Sequence, residues 1–315
     1  MFKSHRLIIG CLSGVLVLTI IIQIILGAWV RLTGSGMSCP DWPLCYGFFF
    51  PSYEKIMQLG VLEYTYFQIF LEWVHRANAA FIIGPLTLLL FLYIILNKNV
   101  KKSFKTYSYY LIILLGFQGL LGGLTVMKSN IPWSVAIHLA SAFMLLYIAL
   151  RIFLIAFGQR NSNFLVTSFE KNLIYFSALI ILVTACAGAF TSKYGASLAC
   201  ANWPYCNKSL YPNLNDQFEV IHFIHRVLAF LLVLLLVFLM YRLSKYYKYF
   251  TLTNKMVFFL IPTIIFFQVS LGALLIVFKV PIWMGVFHQF MGLLLFSSLS
   301  VFIFNVKVKN KNEIY

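Results

Sequence analysis

The sequence predicts an all-α integral membrane protein with eight transmembrane helices, arranged as two pseudo-symmetric four-helix bundles. Of its 315 residues, 62% are hydrophobic and only 10% are charged, and the mean hydropathy is +0.90. Soluble domains do not reach this apolar content, so the chain is predicted to lie in a lipid bilayer. The helix count follows from apolar stretches long enough to cross the bilayer, and the two bundles follow from an internal repeat.

Each apolar stretch is predicted to be a helix, because lipid offers the polypeptide backbone no hydrogen-bond partners. The predicted spans cover residues 8–30, 66–96, 106–127, 132–157, 172–191, 218–241, 256–278 and 282–306.

The net charge of +16 indicates membrane topology and not nucleic-acid binding. Of the 24 Lys and Arg residues, 16 lie on the side of the N-terminus, six lie on the opposite side, and Arg76 and Arg226 lie within spans. Loops on the cytoplasmic side of membrane proteins carry the excess of Lys and Arg, which predicts that both termini are cytoplasmic. No Arg- and Ser-rich transit segment is visible, which favours a bacterial inner membrane.

The chain repeats itself at an offset of 150 positions. His75 repeats as His225, and His138 repeats as His288. Other pairs at this offset are Gln118 and Gln268, Gly122 and Gly272, and Trp133 and Trp283.

Two domains follow from this repeat, residues 1–157 and 165–315, with the polar link 159–163 between them. Because each half has an even number of predicted spans, both halves are predicted to have the same orientation in the membrane.

The four repeated histidines are candidate haem ligands. Each is predicted to lie roughly 9–14 Å below the outer boundary of the membrane, in the second or fourth span of its half. Histidine is rare inside a membrane and marks a functional site. Two imidazoles facing each other across a helical bundle are a usual axial pair for haem iron, whereas zinc would need further ligands at each centre. A haem site in each half is therefore predicted.

The two halves differ next to the first histidine. Glu72 lies three residues before His75 on the same helix face, and the matching residue of the second half is His222. A carboxyl group beside a ligand histidine can act as an acid, a base or a charge stabiliser. This asymmetry predicts chemistry in the first half and a permanent cofactor in the second. The alternative is that Glu72 only pairs with Arg76. We expect His222 to face the outer water near the start of its helix, and a third ligand is the alternative for this residue.

Arg76 and Arg226 each follow a candidate ligand. Their guanidinium groups suit the carboxylates of haem propionates. A structural pairing with a carboxylate or a helix terminus is the alternative.

Each half also has a cysteine pair in its first outer loop, with the spacing Cys-x₅-Cys and a shared Trp-Pro. The pairs are Cys39 with Cys45 and Cys200 with Cys206, at an offset of 161 positions. Cysteine pairs outside the inner membrane are expected to be disulfides, and a thiol pair that cycles during turnover is the alternative. The change of offset means that the first half has about 11 extra residues after Cys45, in a loop where insertions are tolerated.

Taken in order, these motifs resemble the heme A synthases, in the class with outer-loop cysteine pairs. The resemblance covers almost the whole chain. It rests on Gly34-Ser35-Gly36, Cys39-Pro-Asp-Trp-Pro-Leu-Cys45, Glu72-Trp-Val-His75-Arg76, Gln118-Gly-Leu-Leu-Gly122, His138, Ser197-Leu-Ala-Cys200 with Cys206, His225-Arg226 and His288.

The resemblance implies oxidation of the C8 methyl group of heme O to a formyl group, by successive hydroxylation and then loss of water, which gives heme A for terminal oxidases. His75 and His138 would then bind the substrate haem, with Glu72 as the essential carboxylate. His225 and His288 would bind a haem b cofactor. The implied partners are heme O synthase and an outside electron donor or acceptor.

Two other functions remain open from the residues alone. A di-haem cytochrome b that only transfers electrons would explain four histidines, but not a carboxyl group present in one half. A haem transporter would be expected to have broken helices in matching positions, whereas Gly84-Pro85 and Pro262 are not related by the repeat.

Overall fold

The computed structural model describes residues 2–157, 164–207 and 209–308. Within these residues, eight helices are long and apolar enough to cross a membrane, which confirms the eight predicted spans. They are Ser4–Leu32, Tyr66–Leu96, Lys102–Met127, Pro132–Phe157, Ser168–Lys193, Gln217–Ser244, Leu252–Val277 and Ile282–Asn305.

The helices are labelled in chain order. They are α1 (Phe2–Leu32), α2 (Tyr53–Gln58), α3 (Tyr66–Ala77), α4 (Gly84–Leu96), α5 (Lys102–Met127), α6 (Pro132–Phe157), α7 (Ser168–Lys193), α8 (Gln217–Ser244), α9 (Leu252–Val277) and α10 (Ile282–Asn305). Two short strands, β1 (Leu165–Val166) and β2 (Lys307–Val308), pair in parallel.

The second span is not one continuous α-helix. Helix α3 passes into a π-helical turn over Asn78–Ile83 and continues as α4, with the Gly84 N–H bonded to the Ala79 carbonyl five residues earlier. Pro85 has no N–H, and its ring would collide with the carbonyl four residues before it in a regular α-helix. The wider turn absorbs this conflict, so the predicted span 66–96 is correct in extent and interrupted inside.

Two compact units make up the chain. One consists of Met1–Ala156 with Ser192–Tyr194, and the other consists of Phe157–Thr191 with Gly195–Tyr315. In the first unit, α1 packs on α3 and α4, and α4 packs on α5. In the second unit, α9 packs on α10 and α8 packs on α9. The predicted link 159–163 lies outside the described residues.

The predicted first outer loop contains the extra residues of the first half, and part of them forms helix α2. Disulfides join Cys39 to Cys45 and Cys200 to Cys206. In the first loop, Ile56 of α2 is fully buried and packs with Ile69 against both cysteines. The insertion therefore covers the first disulfide with apolar side chains.

Candidate functional site

All four predicted ligand histidines lie against a glycine of a neighbouring helix. A methyl group in place of the glycine Hα would meet the histidine ring, mostly at distances tighter than ordinary contact. The nearest ring atom would lie 3.1 Å away at Gly27 (His75), 3.5 Å at Gly122 (His138), 2.9 Å at Gly188 (His225) and 3.3 Å at Gly272 (His288). Glycine thus lets each imidazole approach the adjacent helix backbone.

In the described part of the chain, glutamine side chains contact three of the four imidazoles. The distance from glutamine Nε2 to histidine Nε2 is 3.3 Å for Gln23 and His75, 3.4 Å for Gln118 and His138, and 3.3 Å for Gln268 and His288. Outer contacts of this kind orient a ligand histidine and tune it. The position that matches Gln23 is Thr184, whose hydroxyl group donates to the Ile180 carbonyl of its own helix.

The ring nitrogens fit a bound metal in a two-histidine site. The buried Nδ1 atoms of His75, His138 and His225 have no hydrogen-bond partner in the described part of the chain. A buried polar atom without a partner is unfavourable, and iron coordination would remove that cost. Among residues 2–157, 164–207 and 209–308, no cluster of three or more His, Cys, Asp or Glu could hold a metal, as structural zinc would require.

Glu72 is held in a network beneath the first outer loop. Its side chain is buried in α3, one turn before His75. One carboxylate oxygen accepts hydrogen bonds from the Cys39 N–H at 2.8 Å and the Ser38 hydroxyl at 3.0 Å. The other pairs with Arg76 at 2.6 Å. The predicted alternative of an Arg76 ion pair is therefore present, together with two further donors.

Arg76 and Arg226 bind the backbone carbonyl groups of the outer loops. Arg76 donates to the carbonyls of Cys39, Asp41 and Leu44, and Arg226 donates to the carbonyls at the matching positions, Cys200, Asn202 and Tyr205. A guanidinium group has five donors in a fixed fork, so one side chain can bind several carbonyls at once. The haem-propionate role of these arginines remains a prediction.

The expectation that His222 faces the outer water is wrong. Its side chain is only 5% exposed. The Cys200 N–H lies 3.3 Å from its Nδ1, and the Arg226 Nε lies 3.1 Å from its Nε2. His222 is buried because the loop that Arg226 holds folds over the start of α8. It occupies the structural position that Glu72 has in the first half.

Sequence reasoning missed two kinds of residue at these sites. The glycines were visible as repeat pairs, Gly122 with Gly272 at one offset and Gly27 with Gly188 at the other, but their contacts with the histidines were not. Gln23 has no repeat partner, so only its polarity within an apolar span could have indicated it.

Comparison with known proteins confirms the family resemblance. The profile of the COX15-CtaA family, described as cytochrome oxidase assembly protein, matches residues 11–300. The chain is 26% identical to the heme A synthase of Flavobacterium johnsoniae, over 95% of this chain and 97% of that protein. It is 28% identical to the heme A synthase of Shewanella oneidensis, over 87% and 89% respectively. The chain therefore belongs to the COX15-CtaA family of cytochrome oxidase assembly proteins.

Proposed function

We propose that this chain oxidises the C8 methyl group of heme O to a formyl group, with the reaction taking place in the first half. Its family and its relatives named heme A synthase make it an enzyme of heme A biosynthesis. The observation that carries the proposed site is Glu72, a buried carboxylate one turn from His75 that the second half replaces with His222.

The proposed ligand sets are one histidine pair in each half. His75 and His138 bind the substrate heme O, and His225 and His288 hold haem b. When bound, haem b supplies electron transfer between the substrate site and an outside partner. The glycine beside each ring supports these assignments, because it gives each imidazole a defined place in the bundle.

The comparison with His222 supports a catalytic role for Glu72. His222 contacts the same loop N–H and the matching arginine without contributing a carboxylate. Anchoring the loop therefore does not require the negative charge that Glu72 can supply. Arg76, Ser38 and the Cys39 N–H hold the Glu72 carboxylate in a fixed place, and a preorganised charge stabilises a reacting group without reorganisation. We assign Glu72 to charge stabilisation and proton transfer at the C8 substituent.

The distribution of basic residues supports a membrane orientation with both termini in the cytoplasm of a bacterial cell. In this orientation the disulfide loops face outward. Heme O synthase is the proposed source of the substrate, and an electron donor or acceptor is the second proposed partner.

Haem analysis tests this proposal. The protein is purified from a host that makes heme O, and its haems are extracted and identified by chromatography with mass spectrometry. Wild type should yield heme A or its hydroxylated precursor. Glu72→Gln, which keeps the size of the side chain, should retain heme O and haem b and lose at least about 100-fold of the product.

The matched control is His222→Gln, which changes the corresponding position of the second half. It should keep the oxidised haems. Haem b alone in wild type, despite available heme O, would show that the chain only transfers electrons. Equal product loss in both variants would mean that Glu72 acts only as a loop anchor.

A further inference from the structure

We propose that Gln23 and Asn78 are positioning residues that hold His75 in place when no haem is bound. This inference rests on the proposed function, in which His75 binds a haem that leaves after each turnover. A permanently bound haem b keeps its own ligands oriented through the iron. A ligand to an exchanging substrate has no such constraint between turnovers, so we expect the protein to hold it with more contacts than it gives a haem b ligand.

Gln23 and Asn78 form a hydrogen-bonded pair on His75. Gln23 Nε2 donates to the His75 backbone carbonyl at 2.9 Å and lies 3.3 Å from the ring Nε2. Asn78 Nδ2 donates to Gln23 Oε1 at 2.7 Å. The glutamine thus contacts both the backbone and the ring of His75, and the asparagine holds the glutamine amide in that orientation.

The backbone next to the pair is also irregular. Asn78 is the first residue of the π-helical turn Asn78–Ile83, which begins three residues after His75. Turns of this kind inside α-helices are frequent at functional sites. Here the turn combines with the polar pair to define the backbone on the inner side of His75, while Glu72 lies one turn away on the outer side.

At the matching positions, the second half has neither the two amide side chains nor a π-helical turn. The positions that match Gln23 and Asn78 are Thr184 and Leu228. Helix α8 runs without a π-helical turn from Gln217 to Ser244. By contrast, both halves have a glutamine on their other histidine. Gln118 contacts His138 in the first half, and Gln268 contacts His288 in the second. The polar pair therefore distinguishes the proposed substrate site and is not a general requirement of a histidine in this fold.

The free-energy cost of burying the Gln23–Asn78 pair supports a functional role for it. Primary amides inside apolar spans, here Gln23 in the first and Asn78 in the second, are unfavourable unless they are hydrogen-bonded. The apolar residue at position 228 avoids that cost in the second half. Loss of an outer contact to a ligand histidine typically reduces metal affinity or activity by about 10–100-fold. We expect the effect of losing Gln23 to fall on the first-half haem alone.

Spectroscopy and haem extraction on the full-length protein, purified with heme O and haem b, test the inference. The signal that is missing from His75→Ala identifies the first-half haem in electron paramagnetic resonance and absorption spectra. Gln23→Met removes the amide at similar size, and Gln23→Glu keeps an acceptor for Asn78 but removes the donor to His75. Asn78→Leu introduces the residue of the second half. Thr184→Val is the matched control.

Gln23→Met should lower retained heme O about tenfold relative to haem b and shift the first-half signal, with the second-half signal unchanged. Gln23→Glu and Asn78→Leu should shift the same signal by less, and Thr184→Val should change neither. An unchanged first-half signal in both Gln23→Met and Asn78→Leu would overturn the inference, as would equal changes at both haems, which indicate a general folding defect.

A different result would contradict the proposed function and leave the positioning role intact. If wild type makes no oxidised haem and the variants still shift only the signal lost in His75→Ala, the pair positions His75 in an electron-transfer protein. The positioning role then stands, and the synthase proposal does not.

Discussion

Each half holds its outer loop with an arginine at the matching position, but the side chain that accepts a hydrogen bond from this arginine differs between the halves. Arg76 and Arg226 bind carbonyls at three matching loop positions, but the fourth partner is the Glu72 carboxylate in one half and the His222 imidazole in the other. A carboxylate can accept from the arginine and the loop N–H together. A neutral imidazole has a single acceptor nitrogen, so His222 satisfies only one of these two donors at a time.

This comparison separates the structural role of the position from its chemical role. The loop is held in both halves, so holding it needs a hydrogen-bond acceptor and not a charge. The first half nevertheless places a carboxylate there, buried and beside a proposed ligand histidine, although burying a charge is unfavourable unless it is fully paired. The same half contains Gln23 and Asn78, so its polar groups concentrate around His75.

The residues around the two disulfides also differ between the halves. The first disulfide is enclosed by Ile56 and Ile69. The position that matches Ile69 is Glu219, whose carboxylate lies 3.7 Å from Cys206 Sγ beside a cleft of about 310 Å³. All four cysteines are buried, but apolar side chains of the first half cover one disulfide, whereas Cys206 of the other lines a cleft.

The largest difference between the halves should appear when the arginines are removed. Arg76→Met leaves Glu72 buried without its ion-pair partner, which should lower the free energy of unfolding by about 3–5 kcal/mol. Arg226→Met leaves a neutral imidazole and unpaired carbonyls, which should cost about 1–3 kcal/mol. Chemical unfolding of the purified protein in detergent measures both values.

A double variant sharpens this test. Glu72→Gln combined with Arg76→Met has no unpaired charge, so it should be more stable than Arg76→Met alone. Equal losses in the two single variants, with no recovery in the double variant, would contradict the proposed difference between charged and neutral anchors.

The glycine contacts provide a graded test of the histidine sites. In Gly188→Ala the new methyl group would lie 2.9 Å from His225 Cε1, so the ring must move. Overpacking of this kind costs about 1–3 kcal/mol, or about 5- to 150-fold in haem affinity. In Gly122→Ala the corresponding distance to His138 is 3.5 Å, an ordinary contact, and haem content should stay within about twofold of wild type. Haem per protein after purification measures both, and equal losses would exclude the graded effect.

The smallest expected effect concerns reduction of the disulfides. Treatment with a neutral dithiol should reduce Cys200–Cys206 faster than Cys39–Cys45, because a cleft reaches Cys206, whereas apolar side chains cover the Cys39–Cys45 pair. Alkylation followed by mass spectrometry measures the two rates. Ile56→Ala opens a cavity over the first disulfide, at a cost of about 2–5 kcal/mol, and should bring its rate closer to that of the other. Equal rates in wild type would contradict the difference in enclosure.

Much of the fold could be predicted from the sequence, but less of the site could. Lipid requires long apolar helices, so the eight spans could be counted without coordinates. The repeat identified His75, His138, His225 and His288. It could not identify Gln23, because reasoning from a repeat finds what the halves share and overlooks polar residues that occur once.

The interruption after Ala77 and the burial of His222 show where local patterns were insufficient. The sequence contained Gly84-Pro85, but whether a proline bends, breaks or widens a helix depends on how neighbouring groups satisfy the backbone. His222 lies near the start of α8, where a helix usually meets water. The loop held by Arg226 covers it, and no local sequence pattern indicated that contact.

By itself, the sequence determined the membrane setting, the eight spans, the duplication and the asymmetry at Glu72, because composition and spacing are properties of the chain alone. The tertiary structure decided which glycine lies under each imidazole, which carbonyls the arginines bind, and that Gln23 and Asn78 meet at His75. These contacts join residues from different helices and loops. Their geometry depends on helix rotation and loop packing, which no single segment encodes.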